Sequence, residues 1–363
     1  MSKNNKRIGL ALSGGGLRAA IFHLGVLSYL AEEGRLEEVA AISTVSGASL
    51  GMSLVFSENG FRWPTSSEFL HWVLPASEEA ILNHDISNFI LKKKTVHPDA
   101  DAVVLLAQAL EEEWGVHGNL RDLYSAPRWE IGATAFETGE NFHFSHARMG
   151  DRRLGYALQP DFLISHAVAA SGAYPELIGE YLLDMRPYQW YQDPSGKREL
   201  KNTREKVHLW DGGVCDNLAA ETMYRKGRGL AKDIDYLLVS DASAPNTEQD
   251  WPGDTMENLL RIWDINANGT RSMMKENLNR EIIKEGNGTY VSTGATVKDI
   301  VRACRIPADT GNDLIAASLT DEEAAFVRDY PTTLKTPSHE DYKLIFRHGY
   351  EIAKVTGHCG KDS

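Results

Sequence analysis

Two observations predict an α/β fold built on parallel strands. Short apolar runs alternate with stretches of helical period from the amino terminus onward, and glycine-rich turns stand at the junctions between them. "RIGLALS" (7–13) reads as a buried strand. Leu17, Ala20, Ile21, Leu24, Leu27 and Ala31 then recur at helical spacing, and Gly34 ends that helix. "VAAISTVS" (39–46) is a second apolar, β-branched run, and helix-compatible residues resume at Leu50. The first sixty residues therefore read β-α-β-α, with right-handed crossovers.

Further along, "RWEIGATAF" and "NFHFSHA" flank "ETGE" as a hairpin. "PDFLISHAVAASGAYP" reads as a helix ended by Gly172 and Pro175. "EYLLDM", "VHLWDGG" and "IDYLLVSDASAP" are strand-like, and 255–285 and 338–354 are helical. Residues 61–125 are rich in helix signals and poor in strands, which suggests a cap or lid inserted into a single domain spanning 1–363, with a helical extension from about 250.

Composition narrows the function. The 363 residues are 42% hydrophobic and 25% charged, an ordinary globular balance. A net charge of −13 speaks against a nucleic-acid polymer as partner, because phosphate binding needs clustered Lys and Arg. Cys215, Cys304 and Cys359 are widely spaced and odd in number, so no disulfide framework is expected, which fits a reducing, cytoplasmic setting. Arg18 and the glycines interrupt the amino-terminal apolar run too early for a signal peptide, and no run is long enough to span a membrane.

Three motifs carry chemistry. Gly47-Ala48-Ser49-Leu50-Gly51 is a G-x-S-x-G between a predicted strand and a predicted helix, the context in which that pattern presents a nucleophilic serine. This makes Ser49 the candidate nucleophile, with Gly47 and Gly51 allowing strand and helix to approach. Gly14-Gly15-Gly16 opens the first helix, and its N–H groups can converge on an anion. A dinucleotide would also want an acid at the end of the second strand, which reads "STVSGAS" and has none, so an oxyanion hole is preferred. Asp211-Gly212-Gly213 closes a strand, where open α/β sheets place ligands. Asp211 can serve as base for the serine if burial raises its pKa.

In this order, "SGGGLR", "GASLG" and "DGG" resemble the patatin-like phospholipase family, and "GATAFETGENFHFS" and "AVAASGAYPEL" resemble its intervening segments. The resemblance implies a three-layer α/β/α fold with a mostly parallel central sheet. It implies calcium-independent acyl-ester hydrolysis by a Ser–Asp dyad without histidine or cofactor. It assigns Ser49 as nucleophile, Asp211 as base, Gly14, Gly15 and Gly16 as oxyanion hole, and Arg18 as the basic residue that steadies that loop. The substrate implied is a phospholipid met at a membrane surface in transient contact. Some bacterial members of the family are anti-phage effectors switched on by cyclic nucleotides, so a small-molecule activator is also an expectation, although no motif marks its site. A lipase or acyltransferase with the same dyad, a dinucleotide-dependent oxidoreductase and an inactive scaffold are the competing readings.

Other signals are discounted. His23 falls on the inner stripe of its helix as a core residue. His143 and His146 would point to opposite faces of a strand and lack further ligands, so no metal is expected. His339, His348 and His358 have no loop setting that suggests a triad, and Asp241 reads as a loop cap. "FRWPTSSEFLHWVLP" and "RPYQWYQ" are aromatic enough to form a lid.

Overall fold

The computed structural model describes residues 6–175, 178–201, 204–245, 248 and 255–359. The alternating amino-terminal pattern forms β1 (Ile8–Leu12), α1 (Gly16–Glu32), β2 (Val39–Val45) and α2 (Gly47–Ser57). The predicted hairpin is β3 (Arg128–Ala135) and β4 (Glu140–Phe144). Then follow β5 (Arg148–Asp151), β6 (Gly155–Leu158), β7 (Tyr181–Asp184), β8 (Trp190–Tyr191) and β9 (Lys206–Asp211). A small pair, β10 (Tyr224–Arg225) and β11 (Gly229–Leu230), precedes β12 (Tyr236–Asp241) and β13 (Gly288–Ser292).

The main sheet runs β13-β12-β1-β2-β3-β4-β5-β6-β8, and β9 pairs with both β3 and β7. The stretch from β13 to β3 is parallel, and the strands beyond β3 are antiparallel. Buried on both faces, the parallel strands need apolar side chains throughout, and all of β1 is buried. Helix α1 is buried almost along its whole length, because α2 and the carboxyl-terminal helix His339–Thr356 pack against it. Gly25 and Gly349 make that contact possible: a Cβ on Gly25 would lie 2.1 Å from the Phe346 carbonyl oxygen, and one on Gly349 2.1 Å from that of Phe22.

One feature of the topology builds the site. β2 runs beside Arg128–Gly132 of β3, ending with Val45 opposite Gly132. β9 takes up the next residues of β3 in the antiparallel sense and ends with Asp211 opposite Ala133. Since β4 holds the other edge of β3, β2 and β9 meet end to end along one edge. Their carboxyl ends face each other, and both chains must turn away there. Gly212 allows the turn: a Cβ on it would lie 2.4 Å from Val45 and 2.5 Å from the Gly132 carbonyl oxygen.

Two expectations are corrected. Cys304 and Cys359 form a disulfide across 55 residues, a pairing that their spacing did not suggest, and Cys215 is the free thiol. The carboxyl-terminal part is not wholly helical, since β13 adds a parallel edge strand. Residues 61–125 carry helices at Leu74–Asn83, Ile86–Val96 and Ala102–Glu112, and no strand. No described helix is long and apolar enough to cross a membrane.

Candidate active site

The turn after β2 is made by Ser46. Its φ of 53° and ψ of −121° lie in a region that non-glycine residues seldom occupy. Helix α2 begins at the next residue, Gly47, so Ser46 stands at the helix amino terminus, where unpaired N–H groups favour negative charge. The strained strand-to-helix residue that presents a nucleophile in such folds is therefore Ser46, three residues before Ser49.

Ser49 lies inside the first turn of α2 and is fully buried. Its hydroxyl is 2.9 Å from Thr44 Oγ1 and 2.9 Å from Ser171 Oγ. Trp129 Nε1 donates to Thr44 Oγ1 at 3.0 Å, closing the network. The G-x-S-x-G at 47–51 thus matches a string whose serine faces the core. The Ser49 assignment is not supported by the geometry, because strand β2 stops at Val45 and the elbow comes one residue later.

Asp211 is brought to Ser46, as the meeting of β2 and β9 requires. The Ser46 hydroxyl lies on the Asp211 side of the elbow and favours its ionised form, and the Gly213 N–H donates to Asp211 Oδ1 at 2.7 Å. Asp211 is 4% exposed. Burial raises its pKa to about 6, against the opposing pull of the Ser46 hydroxyl and the Gly213 N–H. Ser171, at the end of the helix Ile164–Ser171, ties the two loops together. Its Oγ accepts the Ser46 N–H at 2.9 Å and its carbonyl accepts the Gly212 N–H at 3.2 Å. Nothing in "AVAASGAYP" beyond a helix end marked Ser171 for this role.

The glycine loop after β1 lies against the elbow. A Cβ on Gly14 would be 3.1 Å from Ser46 Cβ, and one on Gly47 only 2.0 Å from the Gly16 carbonyl oxygen. Gly15 and Gly16 have φ of 146° and 63°, which glycine adopts without strain. The Gly14 N–H donates to the Asn217 carbonyl at 3.2 Å and is thereby occupied. No acceptor among the described residues takes the N–H of Gly15 or Gly16. Gly51 lets α1 and α2 approach, its Cβ position being 3.1 Å from Ala20 Cα.

Arg18 is buried. Its guanidinium donates to the carbonyls of Ala242 (3.1 Å) and Tyr330 and to Thr332 Oγ1 (3.4 Å). Burial lowers its pKa to about 10, which leaves it charged at neutral pH. It fastens the start of α1 to the segment around 330–333.

Gly14, Gly15, Gly16, Arg18, Ser46 and Asp211 line one cavity of about 960 Å³. Leu50, Ile90, Leu106, Ile178 and Leu334 give it apolar walls. From the 61–125 region, residues of the helices Ile86–Val96 and Ala102–Glu112 reach it, whereas neither aromatic lid candidate does: Phe69 and Trp190 are core residues. No histidine lines it. His23 is buried with Nδ1 2.9 Å from Ser240 Oγ and Nε2 2.9 Å from the Ser13 carbonyl, and burial lowers its pKa to about 4. Asp241 caps its loop through the Ser243 N–H (3.0 Å) and accepts from Tyr290 Oη at 2.5 Å. No cluster of His, Cys, Asp or Glu among the described residues could hold a metal ion.

A strained serine between strand and helix, a buried carboxylate on the same cavity wall and a glycine loop beside them place the chain among α/β proteins with a strand–turn–helix elbow at the carboxyl end of the sheet. More particularly, the chain belongs to the patatin-like phospholipase family, whose model matches residues 10–224. No curated protein sequence matches it. Human GIVD cytosolic phospholipase A2 is similar in fold, with a TM-score of 0.56 and 14% identity over 98% of this chain. The same enzyme in complex with methyl gamma-linolenyl fluorophosphonate and terbium chloride gives 0.52, again at 14% identity and over 98% of this chain. VipD from Legionella pneumophila gives 0.41 at 15% identity, covering 98% of this chain and 67% of VipD. The match takes in 60% and 59% of the two human chains.

Proposed function

We propose that the protein hydrolyses acyl esters of glycerophospholipids, with Ser46 as nucleophile and Asp211 as the only general base. The observation that carries this reading is Ser46, at a strained elbow, beside a buried carboxylate whose ionised form its hydroxyl favours, both on the wall of a cavity with apolar sides. Family membership supports lipid acyl chemistry.

Ser46 Oγ attacks the ester carbonyl carbon as its proton passes to Asp211. The N–H groups of Gly15 and Gly16, with that of Gly47 after the nucleophile, are the donors for the oxyanion. Collapse breaks the ester C–O bond, and Asp211 returns the proton to the departing lysophospholipid oxygen. Water then attacks the acyl-serine, giving up a proton to Asp211; the acyl C–Oγ bond breaks, Asp211 returns the proton to Ser46 Oγ, and fatty acid leaves. A carboxylate titrating near 6 is matched to this work at neutral pH better than an ordinary aspartate. Ser49 is a positioning residue: it holds Ser171, which holds the Ser46 N–H.

The test is fatty-acid release from phospholipid vesicles by wild type, Ser46→Ala, Ser49→Ala and Asp211→Asn, with mapping of the peptide labelled by a fluorophosphonate. Label on Ser46 and silence of Ser46→Ala are expected. Label on Ser49, or turnover by Ser46→Ala, overturns the assignment. Repeating the assay with a panel of cyclic nucleotides tests the activator expectation, and a lysophospholipid acceptor tests acyl transfer. The dinucleotide reading lacks support, since Ser46 stands where its acid would be.

A further inference from the structure

The charge balance of the chain reverses at the Ser46 cavity. The whole chain has 51 acidic and 38 basic residues, yet the cavity is lined by Arg18, Lys94, Arg261, Arg271 and Arg328 against Asp211 and Asp329. Exposed apolar side chains gather on the helices that supply these cations.

The helix Ile86–Val96 exposes Leu91, Lys92, Thr95 and Val96, one helical turn apart in pairs, and Leu91 and Val96 are 66% and 71% exposed. Its Lys92-Lys93-Lys94 run lies between those two apolar side chains. The helix Thr255–Leu278, which supplies Arg261 and Arg271, exposes Ile262 by 61%, Ile265 by 53% and also Met273. These recur at i, i+3 and i+11, one stripe of a helix. Phe326 is exposed beside Tyr330, which lines the cavity. Isolated exposed apolar residues need no explanation, but a group of them rimming one cation-lined opening marks an interaction surface.

We infer that the helices Ile86–Val96 and Thr255–Leu278 form the face that docks on an anionic lipid bilayer, with Leu91, Val96, Ile262 and Ile265 entering the headgroup boundary. Charge complementarity selects the occupant: on the helix Ile86–Val96 exposed apolar side chains flank three lysines, and on Thr255–Leu278 they stand near the cavity-lining Arg261 and Arg271, which suits an interface of acyl chains under anionic headgroups. The surface continues into the Ser46 cavity through Leu91 and Lys94, so a docked lipid meets the opening without crossing water. The inference deepens the lipid-ester reading and rests on it for its biological sense, whereas the docking itself is measurable without turnover.

The experiment uses full-length Ser46→Ala, so that no lipid is consumed. Co-sedimentation is measured with vesicles of phosphatidylcholine alone and of phosphatidylcholine with phosphatidylglycerol. Binding should favour the anionic vesicles and weaken with salt. Val96→Asp/Ile265→Asp should weaken it tenfold or more, and Lys92→Glu about fivefold. In the Ser46 background the former pair, which does not line the cavity, should keep its melting temperature and its hydrolysis of a soluble short-chain ester. Absence of vesicle binding, or equal binding by the substituted proteins, overturns the inference. So does a dimer in sedimentation equilibrium that the same pair dissociates, since a second copy would then be the occupant. Vesicle binding without any ester hydrolysis by the wild type would sink the functional reading and leave the docking face standing.

Discussion

Ser46 and Asp211 stand on one cavity wall across the point where β2 and β9 meet end to end on one edge of β3. Two chain segments 165 residues apart thus bring their carboxyl ends together, and neither can be displaced without disturbing β3. The glycine loop closes the third side.

Exchanging the two serines should separate their roles. Ser46→Ala should abolish ester hydrolysis and leave the melting temperature near that of the wild type. Ser49→Ala should lower stability by about 1–2 kcal/mol, because its buried partners Thr44 and Ser171 each lose a hydrogen bond. Its activity should fall only partly, through looser placement of Ser46. Initial rates and thermal denaturation of the two purified variants decide this.

The pH dependence follows from Asp211. A carboxylate of this type ordinarily titrates at 3.8, and burial holds this one near 6. Between those values the folded chain keeps a proton that the unfolded chain has lost. The stability contributed by Asp211 is therefore full below about pH 4 and lost as pH rises through about 6. Over two pKa units this is on the order of 3 kcal/mol. Activity runs the other way, since the base must be ionised: kcat/KM should rise with pH around an apparent pKa near 6. Asp211→Asn should be inactive and should flatten that part of the stability curve. A rate profile with no inflection between pH 5 and 7 would remove Asp211 as base.

What could be read from the sequence was local. Alternating apolar runs gave β1, α1, β2 and the β3–β4 hairpin, and a strand closing on Asp-Gly-Gly put Asp211 at a strand end. Ser46 was missed because G-x-S-x-G matches the string three residues later, while the strained residue follows from where the strand stops. The end-to-end meeting of β2 and β9, the tie through Ser171 and the 304–359 disulfide depend on long-range pairing, which no local periodicity records.

Arg18 should prove structural. Removing its side chain leaves the carbonyls of Ala242 and Tyr330 without their donor in a buried place. Arg18→Ala should cost about 3 kcal/mol or more, and Arg18→Lys should recover only part, since an ammonium cannot span the same acceptors as a planar fork. Denaturant unfolding of both variants reads this directly.

The disulfide offers a test of the carboxyl-terminal packing. Joining residues 55 apart restricts the unfolded chain, worth about 4 kcal/mol on the loop-entropy account. Reduction, or Cys304→Ser/Cys359→Ser, should lower the unfolding midpoint accordingly. An unchanged midpoint under reducing conditions would mean that the bond does not form in solution.

Gly47 gives the sharpest test of how the loop and the elbow fit. Its Cβ position lies 2.0 Å from the Gly16 carbonyl oxygen and 2.7 Å from the Gly16 nitrogen, both backbone atoms, so an alanine must push the glycine loop bodily away from Ser46. If that loop supplies oxyanion donors, Gly47→Ala should cost about 10²-fold or more in kcat, as loss of one such donor does. Gly269 is the contrast: nothing lies within 4 Å of its Cβ position and it stands within a helix, so Gly269→Ala should raise the melting temperature through helix propensity worth about 1 kcal/mol. A Gly47→Ala protein with undiminished kcat would show that the glycine loop packs against the elbow without taking part in the chemistry.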